Sequence, residues 1–221
     1  MGTDPLPGVD VGHAHGVDLD ATFDFLNTLD LETGFPLEKL PSLDDALTWF
    51  VARGVIHGEG ADRARARVAT QPEAAARDLD RVHAVRDALR EVAEAIAEGR
   101  APRASALSTV NRALHARQVI ELVPAPDGVN VDHRHVGDPI DDALARLADP
   151  LVTELTGGHP ERIRVCASDT CGWIFYDASR TARRRWCAMS TCGNRAKAAR
   201  HRARAKGAAT GNAPSEAVPA S

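Results

Sequence analysis

The first 165 residues of this 221-residue sequence contain no cysteine, and aromatic residues make up only 4% of the whole. Disulfides therefore cannot staple the bulk of the chain, and its core has to come from aliphatic side chains and alanine. Long hydrophobic runs are missing too, since no segment approaches the roughly 18 to 20 uninterrupted apolar residues of a membrane span. The first 30 residues, rich in Asp and His, lack the basic start and apolar run of a signal peptide, which makes a cytoplasmic location the expectation. No nucleophile elbow, phosphate-binding glycine loop, H-E-x-x-H pattern or paired-carboxylate signature occurs, so a non-enzymatic protein is expected.

What is present is ordinary globular composition, 43% hydrophobic and 26% charged, long enough for one domain and a small appended unit. The net charge of −4 hides a segregation. Residues 162–206 hold 12 of the 27 Lys and Arg against only Asp169 and Asp177, a balance of +10, whereas residues 1–161 stand at −13. An acidic body with a basic end points to a polyanionic partner for that end. Mutual neutralisation of the two parts is the alternative.

Periodicity divides the chain. Residues 1–18, punctuated by Gly and Pro, form an irregular lead-in. Apolar spacings of three and four then predict helices over 20–30, from Ser42 to near Gly54, over 59–70, over 72–98 with Leu79, Val82, Val85, Leu89, Val92 and Ile96 inward, and over 103–117. Val119–Val123 and Val129–His133 alternate around Pro126, Asp127 and Gly128, the pattern of a β-hairpin. A last helix runs from Pro139 to about Thr156, with Pro150 placed to kink it. Gly157, Gly158 and Pro160 mark a boundary, so residues 19–158 read as a mainly α domain with a β-hairpin, an α+β unit. Residues 207–221 read as a disordered tail.

The four cysteines lie together near the end, as C-x4-C at Cys166 and Cys171 and again at Cys187 and Cys192, with 15 residues between the pairs. Two short turns, each presenting two thiolates and separated by a hairpin, build the tetrahedral site of structural Zn2+. Two disulfides, an iron–sulfur cluster or four free core thiols are the other readings, disfavoured by the expected reducing compartment and by the basic surroundings. Residues 162–165 and 173–176 supply the ribbon, and Trp173, Phe175 and Trp186 the small core that such a unit needs beside its metal; base stacking is their alternative role.

The run C-G-W-I-F-Y-D-A-S-R and the run R-R-R-W-C-A-M-S-T-C-G-N-R-A-K resemble the CGNR-type zinc finger, whose eponymous tetrapeptide is here Cys192, Gly193, Asn194 and Arg195. The match spans about 45 residues. The segment F-D-F-L-N-T-L-D at 23–30 resembles the start of the ABATE domain, which accompanies this finger in proposed stress-induced bacterial transcription regulators. The resemblance implies a helix-rich ABATE-like domain followed by a small treble-clef or ribbon-like four-cysteine zinc module over 162–206 that ends in a basic helix. It also implies a nucleic-acid-binding role for that module.

Within the module, Gly193 would permit a tight chain path, and Asn194 would cap a helix starting near Arg195, with base-edge reading as its sharper alternative. Lys197, Arg200 and Arg204 share one helical face, with Arg195, Arg202 and Lys206 around it. Arg183, Arg184 and Arg185 extend the patch from the ribbon side. Such a surface suits phosphates, although a solvated face or neutralisation of four thiolates would use the same residues. DNA is favoured over RNA through the regulator resemblance. An effector-sensing or assembly role is expected of the N-terminal domain, where Asn27 and Asp30 are the candidate pocket residues with capping or surface exposure as the plainer reading, and paired operator sites would suit a homodimer. The other reading is an interaction adaptor whose basic unit contacts an acidic protein surface. His159 and Glu161 spell the H-x-E of zinc deaminases, but P-C-x-x-C is absent. The pairs His13 with His15 and His133 with His135 lack a third ligand.

Overall fold

The computed structural model describes residues 17–31, 35–115, 118–126, 128–135 and 137–210. Most of the expected lead-in and residues 211–221 of the expected tail lie outside them, as do His13 and His15. Helix α1 (Leu19–Leu26) starts where the Asp18 carboxylate accepts the Ala21 N–H at 2.7 Å. It ends four residues before the periodicity predicts. The Thr28 hydroxyl donates back to the Phe25 carbonyl at 2.7 Å, and Leu29–Asp30 (β1) leaves the helix to pair antiparallel with Leu37–Glu38 (β2). A long-range partner for two residues outweighs one more helical turn.

Helix α2 (Leu43–Ala52) follows its Ser42 cap, whose hydroxyl oxygen accepts the Asp45 N–H at 3.2 Å, and stops at Gly54 with φ +66°. After α3 (Gly58–Thr70) comes α4 (Glu73–Ala97), the spine of the molecule, with Val82, Val85, Leu89 and Val92 buried as their spacing requires. Helices α5 (Ala104–Leu114) and α6 (Pro139–Gly157) pack on it and on each other. Between them β3 (Gln118–Ala125) and β4 (Gly128–His135) pair antiparallel, from Gln118 opposite His135 to Ala125 opposite Gly128. Pro150 sits inside α6 without ending it. The N-cap Asp138 accepts from Ile140 N–H at 2.8 Å and is ion-paired with Arg67, which also holds the buried Asp78 of α4.

Past the Gly157–Gly158 boundary the core does not stop. A short turn, Pro160–Arg162, leads into the hairpin β5 (Ile163–Val165) and β6 (Ile174–Tyr176), registered Ile163 to Tyr176. Ile163 and Ile174 are 1% exposed and belong to the same apolar cluster as Phe25, Leu89 and Leu147. The expected second unit is thus seated in the first through the buried face of its ribbon. A five-residue π-helical turn, Met189–Gly193, then passes directly into α7 (Asn194–Thr210). Among the described residues no helix is long and apolar enough to cross a membrane.

Candidate metal centre and basic surface

Cys166 leaves β5 with its N–H donated to the Trp173 carbonyl at 2.8 Å, and the turn closes when Cys171 N–H reaches the Ser168 carbonyl at 3.0 Å. Gly172 (φ +61°) follows; a Cβ there would lie 3.2 Å from Leu31 Cδ1, so both its conformation and its neighbour call for glycine. Cys187 lies just before the π-helical turn Met189–Gly193 and Cys192 near its end, and Gly193 N–H bonds to the Ala188 carbonyl at 3.1 Å. All four Sγ atoms lie within 4.8 Å of one another, with Cys171 to Cys187 at 3.6 Å and Cys187 to Cys192 at 3.7 Å. A tetrahedron with Zn–S bonds near 2.3 Å has S···S edges of about 3.8 Å. The thiols are free and their geometry fits that ion.

Packing the four thiols together also shifts their ionisation. Burial pushes the Cys171 thiol up to about 12 and Cys187 higher still. Burial also raises Cys192, but hydrogen bonds from the other three thiols and Thr191 outweigh it and hold Cys192 below the ordinary thiol range. Four thiolates this close need a cation, and a four-cysteine site is the closed, structural kind of zinc centre. Arg195 Nη2 approaches Cys192 Sγ at 3.7 Å, placing positive charge beside one ligand sulfur.

The surrounding loop is held by residues that spacing alone did not single out. Asp177, fully buried, accepts from Ser179 N–H at 3.0 Å and Arg184 N–H at 2.7 Å. Burial alone would raise its carboxyl, but these bonds and the Arg164 charge hold it below the usual range. Arg184 lies over the Phe175 ring at 4.9 Å and donates to the carbonyls of Trp186, at 2.9 Å, and Cys187. Its guanidinium thus braces the metal loop, while the residue remains exposed. Gly193 has no positive φ, and a Cβ there would meet only the flexible end of the exposed Met189 side chain, with Sδ at 2.6 Å. Asn194 has helical φ and ψ because the π-helical turn precedes it, and its Nδ2 donates to the Ser190 carbonyl at 3.2 Å. It therefore closes the π-helical turn and does not cap the start of α7.

Asn27 and Asp30 are both engaged by the cysteine ribbon. Asn27 Nδ2 donates to the Ile174 carbonyl at 2.9 Å while its Oδ1 accepts Ile174 N–H at 3.0 Å, so a buried side-chain amide acts as one more strand partner for β6. Arg90 of α4, also buried, donates to the carbonyls of Gly172 and, at 3.4 Å, Leu26. Asp30 accepts from Trp173 Nε1 at 3.2 Å and pairs with Lys39 at 2.7 Å. Thr28, between them, accepts from Arg86 at 3.3 Å. The F-D-F-L-N-T-L-D segment is thus the seat of the cysteine ribbon. Helical spacing hid this, because the partners lie about 147 residues away.

On the opposite side, residues 197–205 of α7 are all exposed. Lys197, Arg200, Arg202 and Arg204 project from a helix without a single acid, and the side chain of Lys206 lies outside the described residues. An open groove of about 440 Å³ separates α7 from the Cys166–Cys171 turn, lined by Asp169, Arg185, Trp186, Arg195, Arg200 and Arg202. Arg185 stacks on Trp186 with its guanidinium 5.2 Å from the ring centre, and Arg183 is exposed outside the groove. His159 and Glu161 are exposed and bonded to each other at 3.1 Å; the side chains of His133 and His135 lie outside the described residues.

Comparison with protein families agrees with this geometry. Residues 162–205 match the family model described as CGNR zinc finger, and residues 19–158 match the ABATE model, described as "Putative stress-induced transcription regulator". No curated protein matches the chain.

Proposed function

The chain belongs to the ABATE family and ends in a CGNR zinc finger, and from this premise we propose that it is a zinc-dependent transcription regulator that holds DNA through the groove and α7. The observation that carries the reading is the state of α7: its residues 197–205 are all exposed and carry Lys197, Arg200, Arg202 and Arg204, in a helix whose sequence contains no acid. Such a helix repels itself, and phosphates relieve the repulsion while their counterions are released. The zinc centre contributes by fixing Trp186 and the root of α7. In this reading the phosphate-binding set is Arg183, Arg185, Arg195, Lys197, Arg200, Arg202, Arg204 and Lys206, with zinc on Cys166, Cys171, Cys187 and Cys192. A cytoplasmic location belongs to the same reading.

Had α7 been laid against the acidic helical body, an interaction adaptor would have been the better account. Its residues 197–205 face solvent instead. The test is an unbiased selection of DNA and RNA sequences by the zinc-loaded full chain at low salt, with Cys192→Ser as control. Enrichment of duplex DNA that falls steeply with salt and disappears in the control supports the proposal. Zinc-loaded protein that retains no nucleic acid would sink it, and enrichment of RNA alone would replace DNA as the partner.

A further inference from the structure

Only two acids occur among residues 162–206, and the structure gives them opposite fates. Asp177 is buried and spent on the metal loop. Asp169 is exposed on the Cys166–Cys171 turn, and its carboxylate has no hydrogen bond or ion pair with any described residue. It nevertheless lines the same groove as Arg195, Arg200 and Arg202 of α7. If the groove received phosphate alone, this carboxylate would only weaken it through like-charge repulsion. An ionised carboxylate accepts hydrogen bonds and donates none, so it calls for a donor on the ligand.

Nucleic acids present few such donors beside a phosphate. In the DNA major groove they are the exocyclic amino groups of cytosine and adenine, and carboxylates pair with the cytosine N4 amino group, whereas adenine is matched by the two-sided amides of Asn and Gln. Ala196 and Ala199, also on the groove wall, carry side chains small enough to let a strand come close to α7. We propose that this groove seats one nucleotide of the bound DNA, with its phosphate on Arg200 and Arg202 and the amino group of a cytosine on Asp169, so that Asp169 sets a base preference. The inference rests on the DNA-binding reading above and adds to it the residue that reads a base.

Selection of random duplex DNA by the zinc-loaded full chain, run in parallel with Asp169→Asn, tests it. No internal bond of the described structure is lost in this variant, and its zinc content confirms the fold. The wild-type chain is expected to favour cytosine over thymine at one position, and the variant to lose about tenfold of that preference, while its overall affinity stays level or rises. A second comparison removes equal charge from two places: Arg200→Gln with Arg202→Gln, and Lys197→Gln with Arg204→Gln. The first pair is expected to lose the cytosine preference along with affinity, the second affinity alone. DNA binding with an unchanged base preference in Asp169→Asn overturns the role of Asp169 and leaves the regulator reading standing, as does identical behaviour of the two double variants for the groove. Absence of DNA binding by the wild-type chain overturns both.

Discussion

Helices α4 and α7 are both long and both rich in charge, and they treat that charge in opposite ways. In α4, Asp78, Arg86, Arg90 and Glu91 are buried, and each has named partners: Arg67, Glu38 with Thr28, the Gly172 carbonyl, and Arg100. Among the described residues of α7, Lys197, Arg202 and Arg204 have no partner, and Arg200 meets only the Ala196 carbonyl one turn back, at 3.4 Å. A buried charge left unpaired costs several kcal/mol, so the fold must pair it. An exposed one costs little, so the fold can leave it for something outside the molecule. Charges of the first kind build the protein; those of the second mark where it meets a partner.

The largest effect expected falls between these two helices. Removing the metal with a chelator, or substituting Cys171→Ser, should unfold residues 162–193, because structural zinc supplies on the order of 10 kcal/mol to such units. Since Ile163 and Ile174 complete the core around α4, the thermal midpoint of the helical body should fall with it. Hydrogen exchange and circular dichroism would show this. An unchanged midpoint would mean that ribbon and body fold independently, and the contrast drawn above would lose its middle term.

Next in size is Asn27→Ala, which orphans the buried N–H and carbonyl of Ile174. A loss of about 2 to 4 kcal/mol in urea unfolding is expected from two unsatisfied groups. A surface or pocket residue at this position would cost far less, so a change within about 0.5 kcal/mol would contradict the seating role.

Smaller again is an acid effect. Burial alone would raise the Glu38 carboxyl, but hydrogen bonds from Arg86 and from Leu40 N–H, with the Arg86 charge, outweigh it and lower it. A folded value below the unfolded one, near 4.3, means a contribution that is full above that pH and is lost as pH falls through the folded value. Glu38→Gln should therefore flatten the loss of stability between about pH 5 and pH 3, by about 1 kcal/mol or less because the side chain is partly exposed. Equal slopes in both proteins would remove Glu38 from the acid response.

The smallest effect belongs to α7. Arg204→Gln should leave the unfolding free energy within about 0.5 kcal/mol while lowering the salt slope of DNA binding by about one. A marked loss of stability would show that α7 has intramolecular work after all and would erase the difference from α4.

Much of this was legible in the chain. The inward stripe of α4 repeats often enough to outvote noise, Ser42 and Gly54 bracket α2 by local chemistry, and two equal cysteine pairs admit few explanations other than one metal. Legibility failed where a residue's task lies across the molecule. Leu29 and Asp30 fit a helical period, yet they pair with Leu37 and Glu38. Arg184 belongs by position to an arginine run, yet its guanidinium holds the Trp186 and Cys187 carbonyls. Asn194 has the chemistry of a cap, but the preceding π-helical turn leaves no helix start to cap.

By itself, then, the sequence determined most of the helices, the β3–β4 and β5–β6 hairpins, the cysteine cluster and the segregation of charge, because periodicity, turn chemistry and ligand spacing act over a few residues at a time. Only the tertiary structure decided that Asn27 and Arg90 clasp the ribbon, that Asp177 is consumed inside the metal loop, and that Asp169 is left facing the groove beside α7. Those outcomes depend on which buried polar group finds a partner, and partners far apart in the chain become neighbours only once the core has closed.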